Sequence, residues 1–221
     1  KRVSDSSKLN IRYVAEPVVG LSHAKNRIIK ECNTKYLMFL DDDCYPKPDI
    51  LNELVKWIFS DNQIVIGKYS RWHSETPEWI DDSFYQSNPE SDEIILLNSA
   101  GQVKGGVMFA AINTYKMLDG FDTNLGMNGK KIFYGEDTFF GMKAIDKGVK
   151  LFYDPSIEVH HRSHFQTPLE ILYSQYKKGF CYQIIASSKT TSWRLFLRFS
   201  KFSLVSIYVF IGNVFSGTGI K

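Results

Sequence analysis

The chain has 221 residues, 43% of them hydrophobic and 14% aromatic, and a formal net charge of +3. That is enough apolar material for one substantial core with an appendage, and without internal repeats or low-complexity runs it excludes a repeat architecture. The near-neutral balance gives no reason to expect nucleic acid as a partner.

Charge is distributed unevenly. Acidic residues concentrate between Asp41 and Asp154, whereas Lys189 to Lys221 carries five Lys or Arg and no Asp or Glu. The three cysteines (Cys32, Cys44, Cys181) are odd in number and follow no metal-ligand spacing. They are read as free thiols of a reduced compartment, so a cytoplasmic location is expected. The opening, KRVSDSSKLNIRYV, has the character of the middle of a domain, polar residues running into a strand-like IRYV.

In chain order, Leu21 to Lys30 is expected to be helical, with Ser22 as its cap and Leu21, Ala24 and Ile28 on one face. Tyr36–Leu40 is a continuous apolar run of strand length, expected to be buried on both faces. After Pro46 and Pro48, Asp49 should cap a helix whose apolar positions are Ile50, Leu51, Leu54, Val55, Ile58 and Phe59. Ile64–Tyr69 follows as a strand. This alternation of strands and helices predicts an α/β sandwich with a largely parallel sheet.

From Arg71 to Asn98 the pattern breaks into an aromatic and acidic loop that carries Trp72, Trp79, Phe84 and Tyr85. Val107–Ile112 is a strand after Gly105 and Gly106. Asp137–Lys147 is a helix stopped by Gly148. Val149–Tyr153 and Ile157–His161 are read as two further strands. Thr167-Pro168-Leu169-Glu170 then has the form of a capping box with Pro at the first helical position, opening a helix to about Ser187.

Three clusters carry chemistry. The first is Asp41-Asp42-Asp43, directly after the apolar strand. Open α/β sheets bind ligands at the carboxyl ends of their strands. Alternate carboxylates Asp41 and Asp43 can converge there while Asp42 points elsewhere, and hard oxygen ligands suit Mg²⁺ or Mn²⁺ bridging to a diphosphate. The alternative is a run of turn-forming, helix-capping aspartates. The second cluster is Gly135-Glu136-Asp137 at a helix N-terminus, where simple capping would also favour acids. The third is His160 to His164. With Ile157 and Val159 facing inward, His161 continues their face and His160 points away, which allows His161 to complete an N/O metal shell.

Taken together, the blocks GLSHAKN (20–26), FLDDDCYPKPDIL (39–51), KGGVMFAA (104–111), GFDTNLG (120–126), YGEDTFFGMKAIDKG (134–148) and DPSIEVHH (154–161) resemble the family 2 glycosyltransferases. The resemblance implies an α/β fold of GT-A type, a Rossmann-like sandwich with a mostly parallel mixed sheet, here with a C-terminal helical segment. It divides the chain into a glycosyltransferase domain over 1–165 and a helical region over 166–221. It further implies a metal-dependent, inverting transfer from a nucleotide-sugar, expected to be a UDP-sugar, to a hydroxyl of a glycan or lipid-linked acceptor, in polysaccharide or glycoconjugate synthesis.

By the same resemblance, Asp41 and Asp43 match the family's DxD motif. Asp43, Asp41 and His161 would hold the Mn²⁺ or Mg²⁺ ion. Asp41, Asp42, Lys25, Asn26, Gly105 and Gly106 would line the donor. Asp137 is the expected general base, and Glu136 would hold the acceptor hydroxyl or orient the loop. The chemistry is coherent with this. Inversion needs one base for the acceptor hydroxyl and positive charge on the leaving diphosphate.

The pattern departs from the family at both ends. The strands that cradle nucleobase and ribose are not found before NIRYV, and roughly 60–80 preceding residues would be needed for two strand–helix units. At the other end, Leu195–Phe215 is apolar-rich but contains Arg198 and Lys201, and Phe202 to Phe215 is shorter than a spanning helix needs. With Trp193, Arg194, Arg198 and Lys201 at its start, 193–215 is read as an in-plane contact with the cytoplasmic face of a membrane, against a helical pair packed on the domain. Two other functions compete: a non-catalytic carbohydrate- or nucleotide-binding relic of the same fold, and a phosphohydrolase with a strand-end DxD.

Overall fold

The computed structural model describes residues 10–58, 61–72, 89–129, 131–132, 134–162 and single positions between 167 and 181. Helix α1 (Leu21–Glu31) leads to β1 (Tyr36–Leu40), β2 (Cys44–Pro46), α2 (Ile50–Val55) and β3 (Gln63–Arg71). Then come β4 (Ile95–Leu97), a 3-10 turn (Ala100–Gln102), β5 (Val107–Ala111) and α3 (Ile112–Met117). The short hairpin β6 (Met127–Asn128) and β7 (Lys131–Ile132) precedes α4 (Glu136–Asp146) and β8 (Lys150–His161).

The main sheet has the order β1-β5-β3-β8-β2, with β4 also pairing β8. Its mixed α/β character is as expected, but the pairing differs from a mostly parallel sheet. Among the described residues only β3 and β8 pair in parallel; the other four ladders of this sheet are antiparallel. The strand–helix–strand alternation does make β1 and β3 run the same way. However, β5 inserts between them in the opposite sense, a long-range pairing that no local pattern encodes.

The sheet is covered on both faces. Ile64 and Ile66 of β3 join Phe39, Met108, Ala110, Tyr115 and Phe140 on one side. Val65 joins Ile50, Leu54, Val107, Phe109, Ile157 and Val159 on the other. Strands buried on both faces are near-continuous apolar runs, which is why VMFAA and QIVIG carry no polar alternation. β1 is less buried than expected, with Leu40 exposed, because among the described residues it has a strand neighbour on one side only.

Several local expectations shift. Gly20, not Ser22, is the N-cap of α1, and the buried face is Ser22, Lys25 and Ile29, one position on from the apolar face. Ser22 lies inside the first turn, where its Oγ donates to the Leu125 carbonyl at 2.7 Å. In α2 only Ile50 and Leu54 are buried, leaving Leu51 and Val55 exposed. Helix α4 ends where Gly148 adopts φ 73°, as a C-terminal glycine should. The Thr167–Glu170 capping box forms, each backbone N–H meeting the other's side-chain oxygen at 3.3 Å. The proposed spans 182–221 and the loop residues 73–88, with Trp79, Phe84 and Tyr85, lie outside the described residues. Trp72 packs on Tyr45, ring centroids 5.6 Å apart. Among the described residues no helix is long and apolar enough to cross a membrane.

The two strands expected either side of Asp154-Pro155-Ser156 are one strand, β8, with a bulge. Ile66 and Lys68 of β3 face Tyr153 and Glu158 of β8, so six residues of β8 stand against three of β3. Asp154 secures the bulge by accepting from Ser156 N (2.9 Å) and Trp57 Nε1 (2.8 Å). Gly67 lies opposite, where a Cβ would overlap the Ile157 carbonyl and approach Val107 Cγ2 to 2.6 Å. Gly67→Ala is therefore expected to cost about 2–4 kcal/mol of stability in urea denaturation. An unchanged midpoint would show that the bulge yields freely.

Candidate active site

The carboxyl ends of β1, β3 and β8 and the start of β5 meet at one edge of the sheet. There β1 turns through Asp41-Asp42-Asp43 into β2. The turn is closed by Cys44 N donating to the Asp41 carbonyl (3.1 Å) and is tied to the end of β8 by Arg162 N donating to the Asp43 carbonyl (3.2 Å). Asp41 and Asp43 are half-buried and Asp42 is exposed, so the alternation read from the sequence holds locally.

Asp43 and His161 come together, with Oδ2 and Nε2 3.5 Å apart. Among the described residues the donor atoms that gather within 4.8 Å belong to Asp43, Cys44 and His161. Asp41, expected in the metal set, is not among them. Its carboxylate packs under Gly106, where a Cβ would overlap it, and is drawn towards Lys25. Burial raises the Asp41 pKa, Asp43 and Asp137 add to this, and Lys25 and His161 oppose it. Burial, together with Asp41 and Asp43, pushes the Cys44 thiol far up. Cys44 thus stays a neutral thiol that donates to Asp43 Oδ1 at 3.8 Å. A carboxylate and an imidazole fit Mn²⁺ or Mg²⁺, which commonly complete their shells from water and substrate phosphates. His160 faces away, its Nδ1 3.3 Å from the Arg71 carbonyl.

The second acidic group stands at the N-terminus of α4, opened by Gly135 at φ 97°. Asp137 accepts from Gly105 N at 3.1 Å through Oδ2 and from Thr138 N at 2.7 Å through Oδ1. Gly105 and Gly106 are needed for space rather than for backbone conformation. A Cβ on Gly105 would overlap Lys25 Nζ, and one on Gly106 would overlap Asp41 and the Tyr69 hydroxyl. Glu136 is buried and pairs with Lys25, Oε1 to Nζ 3.5 Å. Burial and the neighbouring Asp137 charge raise its pKa, while Lys25 opposes. Lys25 is only 4% exposed and sits against the Phe121 and Phe39 rings, 5.1 and 6.0 Å from their centroids. It anchors the cluster from below.

Asn26, expected at the donor, is used elsewhere. Its amide donates to the Phe121 carbonyl and accepts from Phe121 N, both at 2.8 Å, and so holds the Gly120–Phe121 turn. Four residues of the site were given no role by the sequence, although Cys44 and Lys104 lie inside the blocks 39–51 and 104–111. Cys44 adjoins the metal pair. Tyr69 stacks on His161 at 4.9 Å and its hydroxyl accepts from Gly106 N at 3.1 Å. Lys104 holds its ammonium 4.7 Å from the Tyr69 ring. Lys178 reaches the Tyr134 ring from the C-terminal helical segment, 5.4 Å from its centroid.

An acidic, strand-end site on a mixed α/β sandwich stands where such folds bind their ligands. The chain matches the model of glycosyl transferase family 2 over residues 1–121, and it belongs to that family. Among solved structures it is similar to the mannosyltransferase PcManGT from Pyrobaculum calidifontis in complex with GDP-Man and Mn²⁺. That match has 12% identity and a TM-score of 0.52, covering 91% of this chain and 55% of the other. It is also similar to GalNAc-T7 with UDP, GalNAc and Mn²⁺, at 15% identity and TM-score 0.49 over 66% and 31% of the two chains. The chain thus spans about a third to about half the length of these proteins, and at such identities the first of them supports the fold alone. No curated protein matches the chain.

Proposed function

We propose that this chain is the catalytic core of a metal-dependent, inverting glycosyltransferase that moves a sugar from a nucleoside diphosphate donor to a hydroxyl of a glycan or lipid-linked acceptor. The observation that carries this reading is the separation of two acidic sites joined by one residue. Asp43 stands beside His161, Asp137 is held by the Gly105 and Thr138 N–H groups, and Asp41 feels the charges of all three.

Inversion requires attack from the face opposite the leaving group. Asp137 takes the proton of the acceptor hydroxyl as its oxygen bonds to the anomeric carbon, and the bond from that carbon to the diphosphate breaks with its electron pair. The N–H groups of Gly105 and Thr138 orient the Asp137 carboxylate and leave each oxygen a further lone pair. Glu136, paired with buried Lys25, orients the loop that presents Asp137. Asp43 and His161 would hold the divalent ion, which when bound supplies positive charge to the leaving diphosphate. The neutral Cys44 thiol orients Asp43.

Calorimetric titration with UDP and with GDP, with and without Mn²⁺, tests the reading. One nucleotide is expected to bind with Mn²⁺ at least about tenfold tighter than without it. Failure of both to bind, or affinity indifferent to the ion, sinks it.

A further inference from the structure

Tyr69 touches the supports of both acidic groups, and the reaction above gives it no task. Register brings it there. Tyr69 of β3 lies opposite Val159 of β8, and Arg71 lies opposite His161. Tyr69 and His161 are therefore diagonal neighbours on one face of the sheet. The bulge before them is the cause. It gives β8 an odd number of extra residues, so Val159 falls on the face opposite that of Tyr153. With unbroken alternation His161 would share the Tyr153 face, away from Tyr69.

The ring and the hydroxyl of Tyr69 do different things. The ring stacks on His161, with centroids 4.9 Å apart and planes at 30°. Rotating an imidazole about its Cβ–Cγ bond swings Nε2, and a ring laid against its face opposes that rotation. The stack thus keeps Nε2 3.5 Å from Asp43 Oδ2. The Lys104 ammonium meets the same Tyr69 ring, 4.7 Å from its centroid. The hydroxyl accepts from Gly106 N at 3.1 Å. The preceding N–H, that of Gly105, goes to Asp137 Oδ2 at 3.1 Å, and the Gly106 carbonyl accepts from Asp41 N at 3.4 Å. One short segment is therefore tied to the base, to the aspartate turn and to the residue that orients a metal ligand.

We propose that Tyr69 is a positioning residue that fixes the spacing between ion and base. Its ring aims His161, and its hydroxyl holds the Gly105–Gly106 segment and, through Gly105, Asp137. This rests on the reading of Asp43 and His161 as the ion's ligands and of Asp137 as the base. Displacement at the anomeric carbon needs the held diphosphate and the base at one set separation, and a misplacement of about 1 Å costs about 10²-fold in rate. Gly105 and Gly106 are both buried. Without the Tyr69 hydroxyl the Gly106 N–H would lose its partner away from water, and the segment would shift to regain one.

Two substitutions in the full chain separate the ring from the hydroxyl. Tyr69→Phe keeps the stack and deletes the acceptor; Tyr69→Leu deletes both. Calorimetry with UDP and GDP, with and without Mn²⁺, reads the ring. Hydrogen exchange at the Gly105 and Gly106 amides, followed by NMR without metal, reads the hydroxyl. Tyr69→Phe is expected to keep the Mn²⁺-dependent gain in nucleotide affinity within about twofold, while exchange at both amides quickens about tenfold or more. Tyr69→Leu should free both amides and also lose most of the gain, about tenfold. A gain that survives in Tyr69→Leu, or is lost in Tyr69→Phe, overturns the role of the ring. Exchange that quickens at Gly106 alone in Tyr69→Phe shows a purely local bond and overturns the tie to Asp137; so do two unchanged amides. Should Tyr69→Leu not fold, Tyr69→Phe decides alone, because a residue serving only the core would not free Gly105. A Mn²⁺ gain absent from the unaltered chain would count against the donor reading itself, and exchange at Gly105 would still judge the tie to Asp137.

Discussion

Asp137→Asn is expected to lower turnover by about 10²–10⁴-fold while leaving Mn²⁺-dependent nucleotide affinity unchanged within about twofold. A base acts only as the hydroxyl attacks, so its loss appears in the rate and not in donor binding. Asparagine keeps the size of the side chain and can still accept one backbone hydrogen bond, but it cannot take a proton. Its amide nitrogen would face one of the two N–H groups that Asp137 now accepts from. That lost bond is worth about 1 kcal/mol of stability. If Asp137 were only a helix cap, this small stability loss would be the whole effect and the rate would stand.

Glu136→Gln should behave differently. It removes the ion-pair partner of Lys25, 4% exposed, and leaves it only the more distant Asp41 charge; breaking such a buried pair costs about 3 kcal/mol. The expected signature is a lower denaturation midpoint, with any rate loss following from a displaced loop. Near-normal turnover in Asp137→Asn, beside lost turnover at unchanged stability in Glu136→Gln, would exchange the two roles. The rates are to be measured with the nucleotide-sugar that a hydrolysis screen selects and with saturating acceptor.

The second large effect concerns the ion. Asp43→Asn and His161→Ala should each remove most of the gain in nucleotide affinity that Mn²⁺ confers, about tenfold or more. Each deletes one of the two donors that stand 3.5 Å apart. Asp42→Asn and His160→Ala are the matched controls, because Asp42 is exposed and His160 turns to the Arg71 carbonyl. Both should leave Mn²⁺-dependent binding within about twofold. Equal losses at Asp42 and Asp43 would mean that the turn rearranges on binding and that alternation does not select the ligand. The titrations read binding alone and need no acceptor.

Those controls rest on something legible in the sequence. Along a strand the side-chain period is two, a property of adjacent residues. His161 separates from His160 along β8 before any partner strand is known, whereas Asp42 and Asp43 differ in exposure because of the turn that follows β1. The same local physics makes Tyr36–Leu40 and Gln63–Arg71 strands, stops α4 at Gly148 and closes the Thr167–Glu170 capping box. Together with the order of the motif blocks, these made the family recognisable.

Other features were decided only in three dimensions. The insertion of β5 between β1 and β3 gave the mixed sheet two antiparallel ladders where parallel pairing was expected. Tertiary packing turned α1 by one position, burying Lys25 beneath the acids and giving Asn26 to the Phe121 main chain. It also put Cys44 beside the metal pair and brought Lys104 and Lys178, 74 residues apart in the chain, within range of the Asp137 charge. A lysine in a loop or on an amphipathic helix looks like a solvated charge in sequence. Its burial, and the charges it must then answer to, depend on strands and helices that pair across long stretches of chain, where no local period reaches.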